Sequence, residues 1–462
     1  MKEFEAEKQM EELEEWSNEE TAWDDVHGKE LKMADVRAAR REEVEYMENR
    51  GIWSVVDISE CWDRLGKGPT SVKWVDTDKG TDEEPMVRCR LVARDFKGKD
   101  DKDREDLFAA TPPLELKRAL ISRAATRRKI NRGIRKLMFI DARKAHLNPK
   151  CEGDVYIELP AEAKGGPGKC GKLDFWLYGF RPAAQAWEEH YAEKFVGAGF
   201  VRGIASPVVF QHPERDLACV VHGDDFTFEG AEGDLHWIRD LMETWFEIKV
   251  RGILGPEAGD DKRVTILGRV VVWKPWGIQW EADPKHRKLI MEHFGFDQST
   301  KGLSTNGAKE EAEDDDEELE REEASAYRKV AARLNYMAQD SPDIMFPTKE
   351  GCRGMSKPTV GDLRGLKRLA RFMCRRVAVK WKYIWQEEGQ KTKVFSDSDW
   401  AGCKKTRKSS SGGVMMLGSH CLKAWCSTQG ALALSSAEAE FYAMVEAVIR
   451  ARGVQNVGKE IG

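Results

Sequence analysis

Apolar residues recur along this chain with two different periods, and the alternation between them divides it into elements. From Glu30 to Arg50, Met33, Val36, Val44 and Met47 fall at helical spacing, and Gly51 offers a stop. The stretch IWSVVD after it reads as extended, and SVKWVDT and PMVRCRLVARDF read as paired strands around a charged, Gly-containing turn. LELKRALISRAATRR predicts a basic amphipathic helix, KLMFIDA a short strand, and the pattern between Cys170 and Phe200 is helical again. LACVVHGDDFTFEG sets two apolar runs around a polar turn, a hairpin with carboxylates at its tip. Helices fit residues 324–340 and 359–376. KTKVFSDSDWAG and SSGGVMMLGSHCLKAW return to strand character, and SSAEAEFYAMVEAVIRAR is a helix.

A length of 462 residues with 41% hydrophobic side chains predicts two to four domains with several cores. Apolar runs stop well short of a membrane span, and the acidic start MKEFEAEKQMEELEEW lacks the basic and apolar regions of a signal peptide. The ten cysteines include no CxxC pair, so reduced thiols in an intracellular protein are expected, with no membrane partner. The net charge of −6 conceals an uneven distribution: residues 1–30 and residues 309–323 each sum to −9, which leaves +12 on the rest. Such a body either holds a phosphate backbone or carries a solvated, mixed-charge surface. The acidic residues 1–30 suit a disordered tail or frayed helix, and EEAEDDDEE within 299–326 a linker or exposed loop.

Adjacent Asp224 and Asp225 at a hairpin turn repel each other unless a cation lies between them and a substrate, although a DD turn is by itself more often a solvated cap. Asp141 ends the apolar strand LMFID, where it could equally cap the next turn. Together, Asp141 and Asp224 supply two strand-borne carboxylates able to hold two Mg²⁺, one ion activating a 3′ hydroxyl and one bridging a triphosphate.

Seven collinear segments between residues 31 and 462 then resemble the copia-type retrotransposon Pol polyprotein. FIDARKAHLNPKCEGDVYIELP, LYGFRPAAQAW, VVHGDDFTF and VRCRLVARDF are similar to its reverse transcriptase motifs. AYRKVAARLNYMAQDSPDIMF and LKRLARFM resemble the segment that follows, and FSDSDWAG with ALSSAEAEFYAMVEA the start of its ribonuclease H domain. The resemblance implies an α+β, right-hand polymerase with fingers, palm and thumb or connection, followed by a partial ribonuclease H-like α/β domain. Its fingers and palm would span residues 31–298, its thumb or connection helices 327–390 and the ribonuclease H-like part 391–462.

By the same resemblance, Asp141, Asp224 and Asp225 are the palm carboxylates and ligands of Mg²⁺ or Mn²⁺, Asp225 being the least central. Arg88 and Arg90 match the basic fingers strand facing the triphosphate, against a plain solvated face. Tyr178, Gly179 and Arg181 match the lining of the nucleotide pocket, against the buried start of a palm helix. His146 replaces the Phe or Tyr that crowds the 2′ position of the incoming sugar, and Leu267 and Gly268 fit a primer-gripping hairpin or an ordinary core hairpin. Other departures are His222 and Gly223 before the DD pair and Ala184 for a proline. Asp397 and Glu440 match the first two ribonuclease H ligands; Glu438 is turned away from them, and no Asp follows Asp399, so hybrid cleavage is not expected. The implied partners are an RNA template, a DNA primer or RNA:DNA hybrid, and dNTPs, in a cytoplasmic particle or the nucleus. The GDD turn also resembles RNA-directed RNA polymerases, and a decayed or domesticated element that binds nucleic acid without catalysis is the non-enzymatic alternative.

Overall fold

The computed structural model describes residues 22–26, 28–80, 84–96, 109–128, 133–297, 299–306, 317–403 and 405–462. The expectations for the acidic start and for most of the acidic stretch near residue 310 lie outside these. The chain mixes helix and strand and divides into two compact units, each discontinuous in sequence. One comprises Met1–Thr111, Ala142–Gly199 and Glu243–Glu247; the other Pro112–Asp141, Phe200–Met242 and Ile248–Gly462.

In the first unit the helix Met33–Asn49 buries Val36, Val44 and Met47, as its spacing predicts, and Gly51 follows in the left-handed conformation that a helix end favours. The strands Val72–Asp78 and Val87–Ala93 pair antiparallel. The helix expected from Cys170 starts only at Ala183 and runs to Gly197; Lys169–Leu173 is instead a strand paired with both Trp53–Asp57 and Tyr156–Ile157. A Cβ at Gly171 would lie 3.1–3.2 Å from Ile157, Leu159 and Trp53, so close sheet packing decides the conformation over local pattern.

The second unit is built on a six-stranded sheet in the order Val201–Arg202, Val209–His212, Leu217–His222, Asp225–Ala231, Arg135–Ala142 and Ile248–Leu254. A four-stranded antiparallel sheet, Arg263–Ile266, Arg269–Lys274, Gly277–Ala282 and Trp381–Ile384, shares a core with it through Leu137, Phe139, Trp280 and Tyr383. The helices Arg321–Ala338 and Val360–Arg375 pack around Tyr327, Leu334, Leu366 and Phe372. Thr359 and Asp362 form a reciprocal capping box at the start of the second. Strands Thr392–Ser398, Ser410–Leu417 and His420–Thr428 form an antiparallel sheet followed by the helix Ser436–Glu460.

The helix Leu114–Ala124 corrects the expectation of a basic amphipathic helix, which would keep one face in solvent, because every residue from Glu115 to Ala124 is buried. Its charges are satisfied by distant partners. Lys117 donates to the Thr227 hydroxyl at 2.8 Å and the Val220 carbonyl at 3.2 Å. Arg123 meets Asp216 at 2.5 Å and also contacts Glu229, and Glu115 pairs with Lys423. Arg118 reaches Asp340 at 2.6 Å.

Asp340 is fully buried and joins several elements at once. Its carboxylate also accepts from Arg269 Nε at 3.0 Å and Trp280 Nε1 at 2.6 Å, and its carbonyl accepts from Trp381 Nε1 at 2.7 Å. Replacing it removes the anion that two buried guanidinium groups share. Asp340→Ala should cost about 3–5 kcal/mol, the range for breaking a buried ion pair from one side. Urea unfolding followed by tryptophan fluorescence measures it, and Asp340→Asn should lose less.

Candidate active site

The carboxylates expected to act together are set by one strand pairing. Asp225–Ala231 runs antiparallel to Arg135–Ala142 in a register that puts Asp225 directly opposite Asp141. Residues so placed have Cβ atoms roughly 4.5–5.5 Å apart. Asp224 is exposed at the hairpin tip, and His222 and Asp225 pair on either side of a two-residue turn. The first turn residue, Gly223, has φ 65°. That conformation suits glycine and closes a tight hairpin, which accounts for this departure from the related pattern.

Two like charges facing each other across a sheet are destabilising, and the neighbouring strand supplies the compensation. Arg251, on Ile248–Leu254, places one guanidinium nitrogen 2.5 Å from Asp141 and 3.2 Å from Asp225. Burial lifts the Asp225 carboxyl above the ordinary aspartate range; Arg251 opposes this, while Asp224 and Asp141 add to it. Behind the hairpin, burial pushes the Lys117 ammonium down to about 8, with Cys219 and Asp225 pulling it back up. Burial and the Lys117 charge also hold His222 below the usual imidazole range. Among the described residues, no three His, Cys, Asp or Glu side chains form a metal cage. A facing carboxylate pair nevertheless fits magnesium, which is commonly held by one or two carboxylates together with substrate phosphates.

The residues expected to handle the nucleotide gather within the first unit. Arg88 and Arg90 share one face of Val87–Ala93, opposite the buried Cys89, Leu91 and Ala93. The Arg90 guanidinium lies 5.4 Å from the Tyr178 ring, and the His146 ring lies 5.5 Å from the same ring. The Ala93 N–H donates to the Tyr178 carbonyl at 2.7 Å, and the Arg181 N–H donates to Asp95 at 3.1 Å. Gly179, at φ 89°, lets this loop approach, since a Cβ there would lie 2.2 Å from the Ala93 carbonyl. These contacts make a cluster of cations and rings.

Leu267 and Gly268 form the two-residue turn between Arg263–Ile266 and Arg269–Lys274, with φ of 44° and 66°. Leucine rarely adopts that conformation. The Leu267 carbonyl is held by the Tyr336 hydroxyl at 2.6 Å and by Arg269 Nη1 at 2.8 Å. Arg269 in turn is anchored by Asp340. The turn is therefore tied through Arg269 to the buried hub.

Asp397 and Glu440 are both exposed, and the Ser398 N–H donates to Glu440 at 3.3 Å, which brings the helix carboxylate to the strand bearing Asp397. Glu438 accepts from the Leu434 N–H at 2.7 Å and the Tyr442 hydroxyl at 2.6 Å, so it organises the helix start. A cavity of about 540 Å³ lined by Arg128, Arg135, Trp273 and Trp385 lies at the far end of the Asp141 strand. Arg135 and Asp141 are six steps apart along the strand, roughly 20 Å. Arg251 and Lys117 are the charged neighbours of the carboxylates that sequence reasoning missed.

Residues 51–254 match the family described as reverse transcriptase (RNA-dependent DNA polymerase). The retrovirus-related Pol polyprotein from transposon RE1 of Arabidopsis thaliana is 24% identical over 424 residues, covering 87% of this chain and 27% of the relative. That from transposon TNT 1-94 of Nicotiana tabacum is also 24% identical over 424 residues, covering 88% and 30%. An uncharacterized mitochondrial protein of Arabidopsis thaliana is 32% identical over 120 residues, 26% of this chain and half of the relative. The chain thus spans less than a third of the length of the Pol polyproteins it matches.

The two turns of the second unit separate backbone conformation from close packing. A Cβ on Gly223 would meet nothing within 4 Å, whereas one on Gly268 would lie 2.3 Å from the Tyr336 hydroxyl. Gly223→Ala should cost only the conformational penalty, about 1 kcal/mol, and Gly268→Ala about 1–2 kcal/mol more because the Tyr336 bond must shift. Urea midpoints of the two variants measure the difference.

Proposed function

We propose that this chain, which carries a reverse transcriptase domain over residues 51–254 and resembles copia-type Pol polyproteins over most of its length, is an RNA-directed DNA polymerase. The observation that carries the reading is the register placing Asp141 opposite Asp225, with Asp224 at the adjoining tip. In this assignment the six-stranded sheet is the palm, and residues 327–390 supply thumb or connection helices. Residues 391–462 are a ribonuclease H-like part whose carboxylates are Asp397 and Glu440.

Asp141, Asp224 and Asp225 would hold Mg²⁺ or Mn²⁺, which when bound activates the primer 3′ hydroxyl and neutralises the triphosphate. The strand pairing sets Asp141 and Asp225 facing each other on adjacent strands. Arg88 and Arg90 offer charge to the dNTP phosphates, Tyr178, Gly179 and Arg181 shape the pocket, and Leu267 and Gly268 bear on the primer. RNA serves as template and DNA or an RNA:DNA hybrid as the primer duplex. The charge available to nucleic acid is smaller than the sequence count, because Lys117, Arg118 and Arg123 are consumed inside the fold.

Primer extension with separate dNTP and NTP pools tests this function. Incorporation of dNTPs is expected; use of NTPs would indicate an RNA polymerase, and use of neither a non-catalytic nucleic-acid binder. Asp141→Asn and Asp224→Asn should each lower dNTP incorporation by about 10²–10³-fold or more while template-primer binding survives.

His146 makes a second, separable case. Imidazole is smaller than phenyl and can hydrogen-bond, so a ribose 2′ hydroxyl would meet a weaker barrier here than at Phe or Tyr. His146→Phe should raise the ratio of dNTP to NTP incorporation by roughly ten-fold. An unchanged ratio would assign His146 to packing against Tyr178 alone.

A further inference from the structure

We propose that Arg251 is a built-in counter-cation of the carboxylate pair, one that a divalent ion must displace before it can bridge Asp141 and Asp225. The inference rests on the polymerase reading of the site. It starts from three neighbouring strands. Asp225–Ala231, Arg135–Ala142 and Ile248–Leu254 lie side by side in one sheet and bring an anion, an anion and a cation into a row.

A single atom does the bridging: the same Arg251 nitrogen stands 2.5 Å from Asp141 Oδ1 and 3.2 Å from Asp225 Oδ1. An ion shared by those two oxygens would occupy the same space between them. Coordination at about 2.0–2.1 Å leaves no room for the guanidinium alongside it. Guanidinium stays charged at any working pH, so it cannot yield by losing a proton and must move. Its side chain is 35% exposed, against 22% for Asp141 and 16% for Asp225, so solvent is open to the arginine as a destination.

The other charged neighbours cannot replace it. Lys117 faces the hairpin from within and is fixed by the Val220 carbonyl and the Thr227 hydroxyl. Asp224, at the tip, adds negative charge. Displacing Arg251 therefore sets a cost against metal binding, and the cost is refunded only when an ion takes over the charge balance. The consequence is a site whose affinity for free divalent cation is low and whose occupation is favoured by a ligand that brings its own metal, such as a metal-bound triphosphate.

Mn²⁺ titration of the full-length chain, with free ion read by electron paramagnetic resonance, tests this without any turnover. Wild type, Arg251→Gln, Arg251→Lys and Asp141→Asn are compared. Arg251→Gln should bind Mn²⁺ about ten-fold more tightly than wild type, with Arg251→Lys between them. In metal-free buffer Arg251→Gln should melt below wild type, and Mn²⁺ should raise its melting temperature more than that of wild type. Equal or weaker Mn²⁺ binding by Arg251→Gln, with binding still abolished by Asp141→Asn, overturns the inference and leaves the polymerase reading standing. Binding that ignores Asp141→Asn, or no binding by any variant, also overturns the inference, whereas the polymerase reading falls only if primer extension shows no dNTP incorporation.

Discussion

Seven consecutive cross-strand pairs, from Asp141 opposite Asp225 to Arg135 opposite Ala231, join two segments far apart in sequence, and the candidate site follows from that register. Shifting it by one residue would turn every side chain of one strand to the other face of the sheet. The buried positions resist such a slip. Leu137, Met138, Phe139 and Ile140 are buried on one strand and Phe226, Thr227 and Phe228 on the other, so either face would lose its packing. At the opposite end of the same ladder, Arg135 donates from Nε to Glu229 at 2.6 Å, a second lock made of charge. Hydrophobic burial and one ion pair together hold the facing aspartates in place, against their own repulsion.

Several charged side chains of this molecule lie in its interior. The helix Leu114–Ala124 looks like a surface helix in the sequence because it carries Lys117, Arg118 and Arg123, yet each meets a partner contributed by another element. Asp216 shows the same economy from the acidic side. Burial pushes its carboxyl up, but Arg123, Arg128 and Arg135 outweigh burial and hold it below the usual range. Such groups cost several kcal/mol each to desolvate, and the ion pairs they make offset that cost. A tally of basic residues therefore overstates the surface offered to phosphate.

Local pattern made much of the architecture legible. Helical spacing of Val36, Val44 and Met47 and the apolar runs around residues 223 and 224 appear in the structure close to their expected bounds, and the final helix starts where expected but continues to Glu460, eight residues past Arg452. The exception near Cys170 has a clear cause: Gly171 lies against Ile157, Leu159 and Trp53, which no window of local sequence contains. The carboxylates were legible as residue types, because strand ends and turns advertise themselves. Their pairing was not: Asp225, rather than Asp224, stands opposite Asp141, and that depends on register. Arg251, Lys117 and Asp340 were illegible for the same reason, since each acquires its partners from another part of the chain.

The hub at Asp340 connects these themes. Its carboxylate holds Arg118 from the buried helix and Arg269 from the four-stranded sheet. Arg269 then donates to the carbonyl of Leu267, a leucine kept at φ 44°. Lys117, the residue before Arg118 on the same buried helix, supports the hairpin through Val220 and Thr227. The turn at Leu267–Gly268 and the hairpin bearing Asp224 and Asp225 are thus braced by neighbouring residues of a single helix. A shift of that helix would disturb both together, since packed interiors transmit displacement rather than absorb it. Its high density of buried charge is then a means of fixing the helix in position, because each ion pair is made to a partner held in place by other parts of the fold.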